Sequence, residues 1–280
     1  MNNLPAFSAG IQTKVIDRII GLFYCLSVYK LLTGMWLFQL QPFEFMAKKD
    51  VTGWWFMQTG LHQWLLNNRA GTILMDTLFY SFPFVYWLFY RWKRACVALV
   101  AVGWLVVNWL YIQAYVLFPT NSIEGHIAWL FLPVLFAFGN HLERFYYVMH
   151  AIRYYFLFFF ATAAIWKIRQ GGLFNVEQMS AILLSQHKVF LVGWPEHWFT
   201  GLVYYLVEHK WLSFSLYLSA TLLELTFITG FFYKKYDRIL FGLFVLFLLF
   251  DFIVMRIPYF EVLPIATILL VSGYKWQEEV

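Results

Sequence analysis

From Ala95 to Phe118 the chain runs for 24 residues without one Asp, Glu, Lys or Arg. A helix of about 20 apolar residues crosses a hydrocarbon layer of about 30 Å, so a run of this kind points to lipid before any other solvent. Two further runs repeat the signal. Trp211–Tyr233 covers 23 residues with Glu224 as its one charge, and Ile239–Met255 covers 17 with Asp251 as its one charge. The sequence carries no ten-residue alternating pattern of the barrel kind, and only helices and closed barrels satisfy their backbone groups in lipid. The expectation is an all-α fold: a polytopic integral membrane helical bundle.

Composition agrees. Residues are 62% hydrophobic, 23% aromatic and 12% charged, whereas a soluble domain carries roughly 25% charged residues. So few charges could not cover an aqueous surface without large apolar patches. The first apolar stretch begins near Ile19, contains Lys30 and lacks a small-residue cleavage site, which predicts a retained helix and not a signal peptide. Cys25 and Cys96 both fall in or beside apolar runs, which argues against a disulfide framework or a thiolate metal site. The seven histidines are scattered without a His-x-x-x-His spacing, so no metal is expected. A net charge of +5 suits anionic headgroups better than nucleic acid.

The hydropathy pattern predicts helices near residues 18–40, 73–90, 95–118, 125–140, 148–168, 211–233, 239–256 and 260–274, about seven or eight crossings in a single transmembrane domain over residues 1–280. The fourth and eighth are the shortest. Two segments interrupt the series. Residues 41–72 carry Trp54-Trp55 and His62, and residues 169–210 carry Gly171-Gly172, Trp194-Pro195 and an amphipathic stretch, His197–Lys210, suited to the interface. Basic residues concentrate in two turns, Arg91 with Lys93 and Arg94, and Lys234 with Lys235 and Arg238. The positive-inside rule places both on the cytoplasmic side. Both termini then come out cytoplasmic, the loop at 119–125 external, and a bacterial inner membrane is the expected location.

Ionisable groups within a membrane are costly and usually face the bundle interior, which makes each a functional candidate. Lys30, Glu224 and Asp251 fall within predicted spans. His126 opens the fourth and Lys167 closes the fifth, both at the external face of the predicted topology. Each has a plainer explanation. A lysine at a helix end commonly snorkels its ammonium to the headgroups, and a histidine there can cap an interfacial turn. Glu224 and Asp251 could pair structurally with Lys30 or Arg256, and Asn108 suits an interhelical hydrogen bond. Turned inward beside the aromatic run Phe156–Trp166, Lys167 would be poorly solvated, a setting that favours the neutral amine and a general-base role. His126 could then orient a substrate or stabilise a developing oxyanion.

Several short motifs occur in a familiar order. A tight basic turn at Tyr90-Arg91 joins two helices, and Asn121-Ser122 precedes His126-Ile127-Ala128-Trp129-Leu130. An aromatic helix then ends in Phe160-Ala161-Thr162-Ala163-Ala164-Ile165-Trp166-Lys167-Ile168, and Gly172, His187 and Pro195 follow. From about residue 75 to 272 this arrangement resembles the membrane part of vitamin K-dependent γ-glutamyl carboxylases and the wider bacterial family of horizontally transferred transmembrane domains. The resemblance implies a lysine base, matched by Lys167, that deprotonates a reduced vitamin K or menaquinol in an outward-facing pocket. It implies a histidine near the quinone, matched by His126, and a pocket formed by Asn121, Trp129, Phe160, Trp166 and Asp251. In that family the chemistry ends in capture of carbon dioxide by a glutamate side chain. The family's extramembrane substrate-recognition region has no counterpart here, and its Phe-His pair is Phe250-Asp251.

The expected partners are membrane lipid, a quinone, and a protein or small-molecule substrate at the external face, with no nucleic acid. Two other readings compete with a carboxylase-like enzyme. One is a non-enzymatic quinone- or lipid-binding subunit similar to the DoxX-like proteins. The other is a proton-coupled transporter using Lys30, Glu224 and Asp251, although the paired repeats common in that class are not visible.

Overall fold

The computed structural model describes residues 6–40, 51–118 and 124–276. Among them every regular element is helical, and one isolated β-bridge joins Ala6 to Lys275. The helices are α1 (Ala9–Leu32), α2 (Val51–Gln58), α3 (Leu61–Asn67), α4 (Arg69–Trp92), α5 (Val97–Tyr115), α6 (Glu124–Phe136) and α7 (Leu142–Arg169). They continue as α8 (Gln178–Gly193), α9 (Trp198–Glu208), α10 (Lys210–Thr226), α11 (Thr229–Phe232), α12 (Asp237–Phe250), α13 (Leu263–Ala266) and α14 (Ile268–Val271). The all-α reading therefore holds.

Five helical stretches among the described residues are long and apolar enough to cross a membrane: Arg69–Trp92, Arg94–Tyr115, Leu142–Arg169, Lys210–Phe232 and Lys234–Met255. The other three expected spans differ from the prediction for identifiable reasons. The first lies earlier than residues 18–40, as α1, where Lys14, Asp17, Arg18 and Lys30 dilute its apolar character. The chain turns after it at Gly34, whose φ of +74° favours a residue without a Cβ. The 13 residues of α6 rise only about 20 Å. The last expected span is divided into a 3₁₀ turn (Tyr259–Val262), α13 and α14, with Pro258 before the turn and Pro264 in the first turn of α13.

The chain forms two compact units, one of Met1–Arg153 with Arg256–Val280 and one of Tyr154–Met255, the division falling inside α7. In the first, α4 packs along α5 and α5 along α6. Their shared core is aromatic: Phe23 meets Trp129 with ring centroids 4.6 Å apart, and Phe79 stacks on Tyr111 at 3.9 Å. Buried polar groups then tie helix to helix, as lipid-embedded packing requires in place of a hydrophobic drive. Asn108 Nδ2 donates to the Trp129 carbonyl at 2.9 Å, Tyr86 Oη to the Phe136 carbonyl at 2.8 Å, and Gln12 Nε2 to the Gly139 carbonyl at 3.0 Å.

In the second unit, Phe156 and Phe160 of α7 interleave with Phe227 after α10 and with Phe244 of α12. A separate cluster joins α8, α9 and α10 through Met179, Leu183, Leu191, Phe199, Val203, Leu206 and Tyr217. Segment 169–210, of which the sequence suggests an interfacial place for His197–Lys210, is mostly two helices, α8 and α9, folded onto α10.

Candidate functional site

Helix α10 turns one polar stripe inward, while Ser215 and Ser219 are exposed. Ser213, Tyr217, Thr221 and Glu224 are all buried, and their spacing of four, four and three places them on one face. Leu212 and Leu222 are exposed. A helix with this inverted pattern suits a lipid surround, where outward groups should be apolar and polar groups should face protein.

Opposite that face stands Lys167, in the last turn of α7. Its Nζ donates to Glu224 Oε1 at 2.7 Å, with the lysine side chain 29% exposed and the glutamate side chain 4% exposed. The same Nζ lies 5.7 Å from the centre of the Tyr217 ring, a cation–π contact. Tyr217 in turn rests against Gly172, where an added Cβ would come within 2.6 Å of the phenolic oxygen. A Cβ at 172 would displace the phenol end of Tyr217, and glycine leaves it room.

The second carboxylate is Asp251. It is buried and begins a π-helical turn, Asp251–Met255, at the end of α12. A π-turn inserts one residue into a helix and redirects the side chains around it, and such turns are frequent at functional sites. Gln186 of α8 donates to the Met255 carbonyl at 3.0 Å and holds the far end of this turn. Glu224 keeps its other oxygen, Oε2, buried and without a hydrogen-bond partner.

Between α10 and α12 is an apolar groove of about 220 Å³. It is lined by Leu216, Ser219, Ala220 and Leu223 from α10 and by Leu246, Phe247 and Phe250 from α12. Leu223 and Phe250 are the immediate chain neighbours of Glu224 and Asp251. Lys167, Tyr217 and Glu224 thus bring an ammonium, a phenol and a carboxylate together, and none of them is among the residues lining the groove.

The residues expected from the sequence divide into distinct groups. Lys167 and Asp251 both belong to the second unit, and the partner of Glu224 there is Lys167. Phe160 is a core residue, stacked on Phe227 at 4.9 Å. Trp166 points outward, 53% exposed, with the Arg169 guanidinium 5.3 Å over its ring. Trp129 belongs to the first unit, packed on Phe23 and 5.4 Å from Lys30 Nζ. Asn121 lies outside the described residues, as does the side chain of His126, whose backbone falls in α6.

A second charged centre, in the first unit, joins Lys30, a candidate from the sequence, to Glu261 and Asp76, which the sequence reading did not single out. Lys30 is 2% exposed and donates to Glu261 Oε1 at 2.9 Å, with its Nζ 4.7 Å from the Tyr115 ring. Near it, Asp76 accepts hydrogen bonds from the Leu37 and Phe38 amides at 3.1 and 2.9 Å and from Tyr111 Oη at 2.8 Å. Asp76 thereby fastens the turn after α1 to α4 and α5. Among the described residues no three His, Cys, Asp or Glu side chains gather in a way that could hold a metal ion. Comparison of the chain with protein-family models, with curated proteins and with solved structures found no match.

Proposed function

We propose that this integral membrane protein binds a lipophilic ligand with a hydroxyl-bearing head, and that Lys167 exchanges a proton with that head. The observation that carries this reading is the Lys167–Glu224 pair, whose glutamate follows directly in the chain on Leu223, a lining residue of an apolar groove between two helical stretches long enough to cross a membrane. A reduced quinone of the vitamin K or menaquinol type is the ligand class implied by the resemblance of the Lys167 motif. It supplies a hydroxyl proton, reducing equivalents and an apolar tail. The site suits such a molecule in two respects. The groove lining is apolar except for Ser219, and Glu224 Oε2 is a buried acceptor without a hydrogen-bond partner.

In the enzymatic form of this proposal the Lys167 ammonium first passes a proton to Glu224 Oε1, and the neutral amine then accepts the hydroxyl proton of the ligand. The ammonium so formed faces the ligand oxyanion, and Tyr217 offers its ring as a further cation partner. Carboxylation of a protein or small-molecule substrate at the external face is the reaction the resemblance suggests. The charge rule places the basic turns at Lys93 and Lys235, and both termini, on the cytoplasmic side of a bacterial inner membrane.

One observation favours a second reading, a non-enzymatic quinone- or lipid-binding subunit. Lys167 is already engaged by a carboxylate at 2.7 Å, and it can act as a base only when that contact is exchanged. Native mass spectrometry of the purified protein with reduced menaquinone tests the proposal. The expected result is a stoichiometric adduct in the wild type that is lost in Lys167→Met. An adduct of equal abundance in both proteins would remove Lys167 from the site. If the adduct depends on Lys167 but no turnover accompanies it, the subunit reading takes over.

A further inference from the structure

Lys30 and Lys167 occupy the same short pattern: an aliphatic residue, an aromatic residue, the lysine, an aliphatic residue, and a glycine four positions after the lysine. It reads Val28-Tyr29-Lys30-Leu31 with Gly34, and Ile165-Trp166-Lys167-Ile168 with Gly171. Both glycines are left-handed, at φ +74° and +76°, and each stands just past the end of a long helix, α1 or α7. The turns share their hydrogen bonds as well. The amides of Thr33 and Gly34 donate to the Tyr29 and Leu31 carbonyls, and those of Gln170 and Gly171 to the Trp166 and Ile168 carbonyls. A 3₁₀ turn follows in each case, Leu37–Gln39 and Gly172–Phe174.

The elements then recur in order. Two short helices come next, α2 and α3 or α8 and α9, and then a membrane-length stretch, Arg69–Trp92 or Lys210–Phe232. A basic turn of one geometry follows. The Lys93 and Tyr233 amides close it on the Phe89 and Thr229 carbonyls, before a 3₁₀ turn at Arg94–Cys96 or Lys234–Tyr236. Each turn leads straight into the next long helix, α5 or α12. Any two amphipathic helices can be slid until their buried faces agree. Here the turns fix the slide in advance. The glycine turn sets a shift of 137 positions, which lays buried Ile19, Phe23 and Ser27 on buried Phe156, Phe160 and Ala164. The basic turn sets a shift of 140, which lays buried Trp104, Asn108 and Tyr111 on buried Phe244, Leu248 and Asp251. A contact between these helices recurs too: Phe23 meets Trp104 edge-on at 6.1 Å, and Phe160 meets Phe244 edge-on at 5.3 Å.

We propose that the chain is a tandem duplication of one membrane-spanning unit, that Lys30 and Lys167 are the same position in its two copies, and that the Lys30 centre is the closed form of the site that Lys167 keeps open. Each lysine is paired with a buried carboxylate, Glu261 at 2.9 Å and Glu224 at 2.7 Å. The difference lies in what covers the ammonium. The Lys30 side chain is 2% exposed, with its Nζ 4.7 Å from the Tyr115 ring and 5.4 Å from the Trp129 ring, whereas the Lys167 side chain is 29% exposed. At the shift set by the basic turn the counterpart of Tyr115 is Met255, the last residue of the π-turn, so the second copy has no ring at that position. The inference concerns the Lys167 site and not the ligand that fills it.

Two measurements test it, neither with a ligand. In a background without Cys25 and Cys96, Lys30→Cys is combined with Glu261→Gln, and Lys167→Cys with Glu224→Gln, so that no carboxylate is stranded. Modification by N-ethylmaleimide in lipid nanodiscs, read by mass spectrometry, should be about tenfold or more faster at position 167 than at position 30. Adding Tyr115→Ala should raise the rate at position 30 by about as much. Equal rates at the two positions, or no gain with Tyr115→Ala, would overturn the assignment of a closed and an open copy. An experimental structure of the full chain decides the duplication whether or not each variant folds. When α1, α4 and α5 are superposed on α7, α10 and α12, Lys30 should fall within about 3 Å of Lys167, roughly half a helical turn. A larger offset, or three helices that do not superpose, would refute it.

Discussion

Lys167 and Glu224 are 57 positions apart in the chain and 2.7 Å apart in space, with the carboxylate the more deeply buried partner. This asymmetry orders the consequences of breaking the pair. Lys167→Met strands a carboxylate of 4% exposure, and loss of one partner from a buried pair costs about 3–5 kcal/mol. Glu224→Gln leaves a lysine of 29% exposure that can turn its ammonium outward, and should cost less, about 1–2 kcal/mol. The double variant should be more stable than the sum of the two. Thermal unfolding in detergent, analysed as a double-mutant cycle, measures the coupling, and strictly additive losses would show that the pair contributes nothing.

Asp76 serves a different purpose, and its substitutions should form a graded series. Asp76→Ala leaves two amides and one phenol of the first unit without their acceptor, at a cost of about 3 kcal/mol or more. Tyr111→Phe removes a single donor from the same carboxylate and should cost about 1 kcal/mol. Equal losses in the two variants would contradict the anchoring role given to Asp76.

Gly230 of α11 marks a close approach between helices. A Cβ there would stand 2.7 Å from a Leu157 methyl and 2.8 Å from a Leu240 methyl. Both contacts are ends of flexible side chains, so Gly230→Ala should be mild, below about 1.5 kcal/mol, whereas Gly230→Val should cost about 1–3 kcal/mol through overpacking. Unfolding midpoints of the two variants check the order, and equal stability of the valine variant and the wild type would refute it.

Much of this architecture was legible in the apolar runs. Ala95–Phe118 and Trp211–Tyr233 became membrane-length helical stretches because no alternative buries so much uncharged chain, and the basic turns at Lys93 and Lys235 separate consecutive helices as their composition suggests. The inward face of α10 was marked by Glu224 alone; the helical spacing of Tyr217, Thr221 and Glu224 carries the rest of it and was not read. Partners were not. Glu261 lies 231 positions from Lys30, and nothing local in a sequence links two charges so far apart. The π-turn at Asp251 leaves no mark in residue spacing, because it inserts a residue into the hydrogen-bond ladder and not into the hydropathy pattern. Phe160 and Trp166 looked alike as aromatics near a lysine, yet packing turned one into the core and the other to the surface.

The orientation assigned from loop charge is open to a simple check. Lys93→Cys and Lys235→Cys should both react with a membrane-impermeant thiol reagent in inverted vesicles and not in intact cells, against a background without Cys25 and Cys96. Labelling of the two positions from opposite sides would mean that one expected crossing between them is missing. The 13-residue α6 would be the first to withdraw, since it falls short of a hydrocarbon layer of about 30 Å.

The most direct test of the central claim is photoaffinity labelling in native membranes with a quinone that carries its reactive group on the tail, followed by mapping of the labelled peptides. A ligand seated beside Lys167 and Glu224 should label residues of α10 and α12 around Leu223 and Phe250, with the label lost when Ala220→Trp fills the groove. Label confined to other helices, or unchanged in the Ala220→Trp protein, would contradict the account.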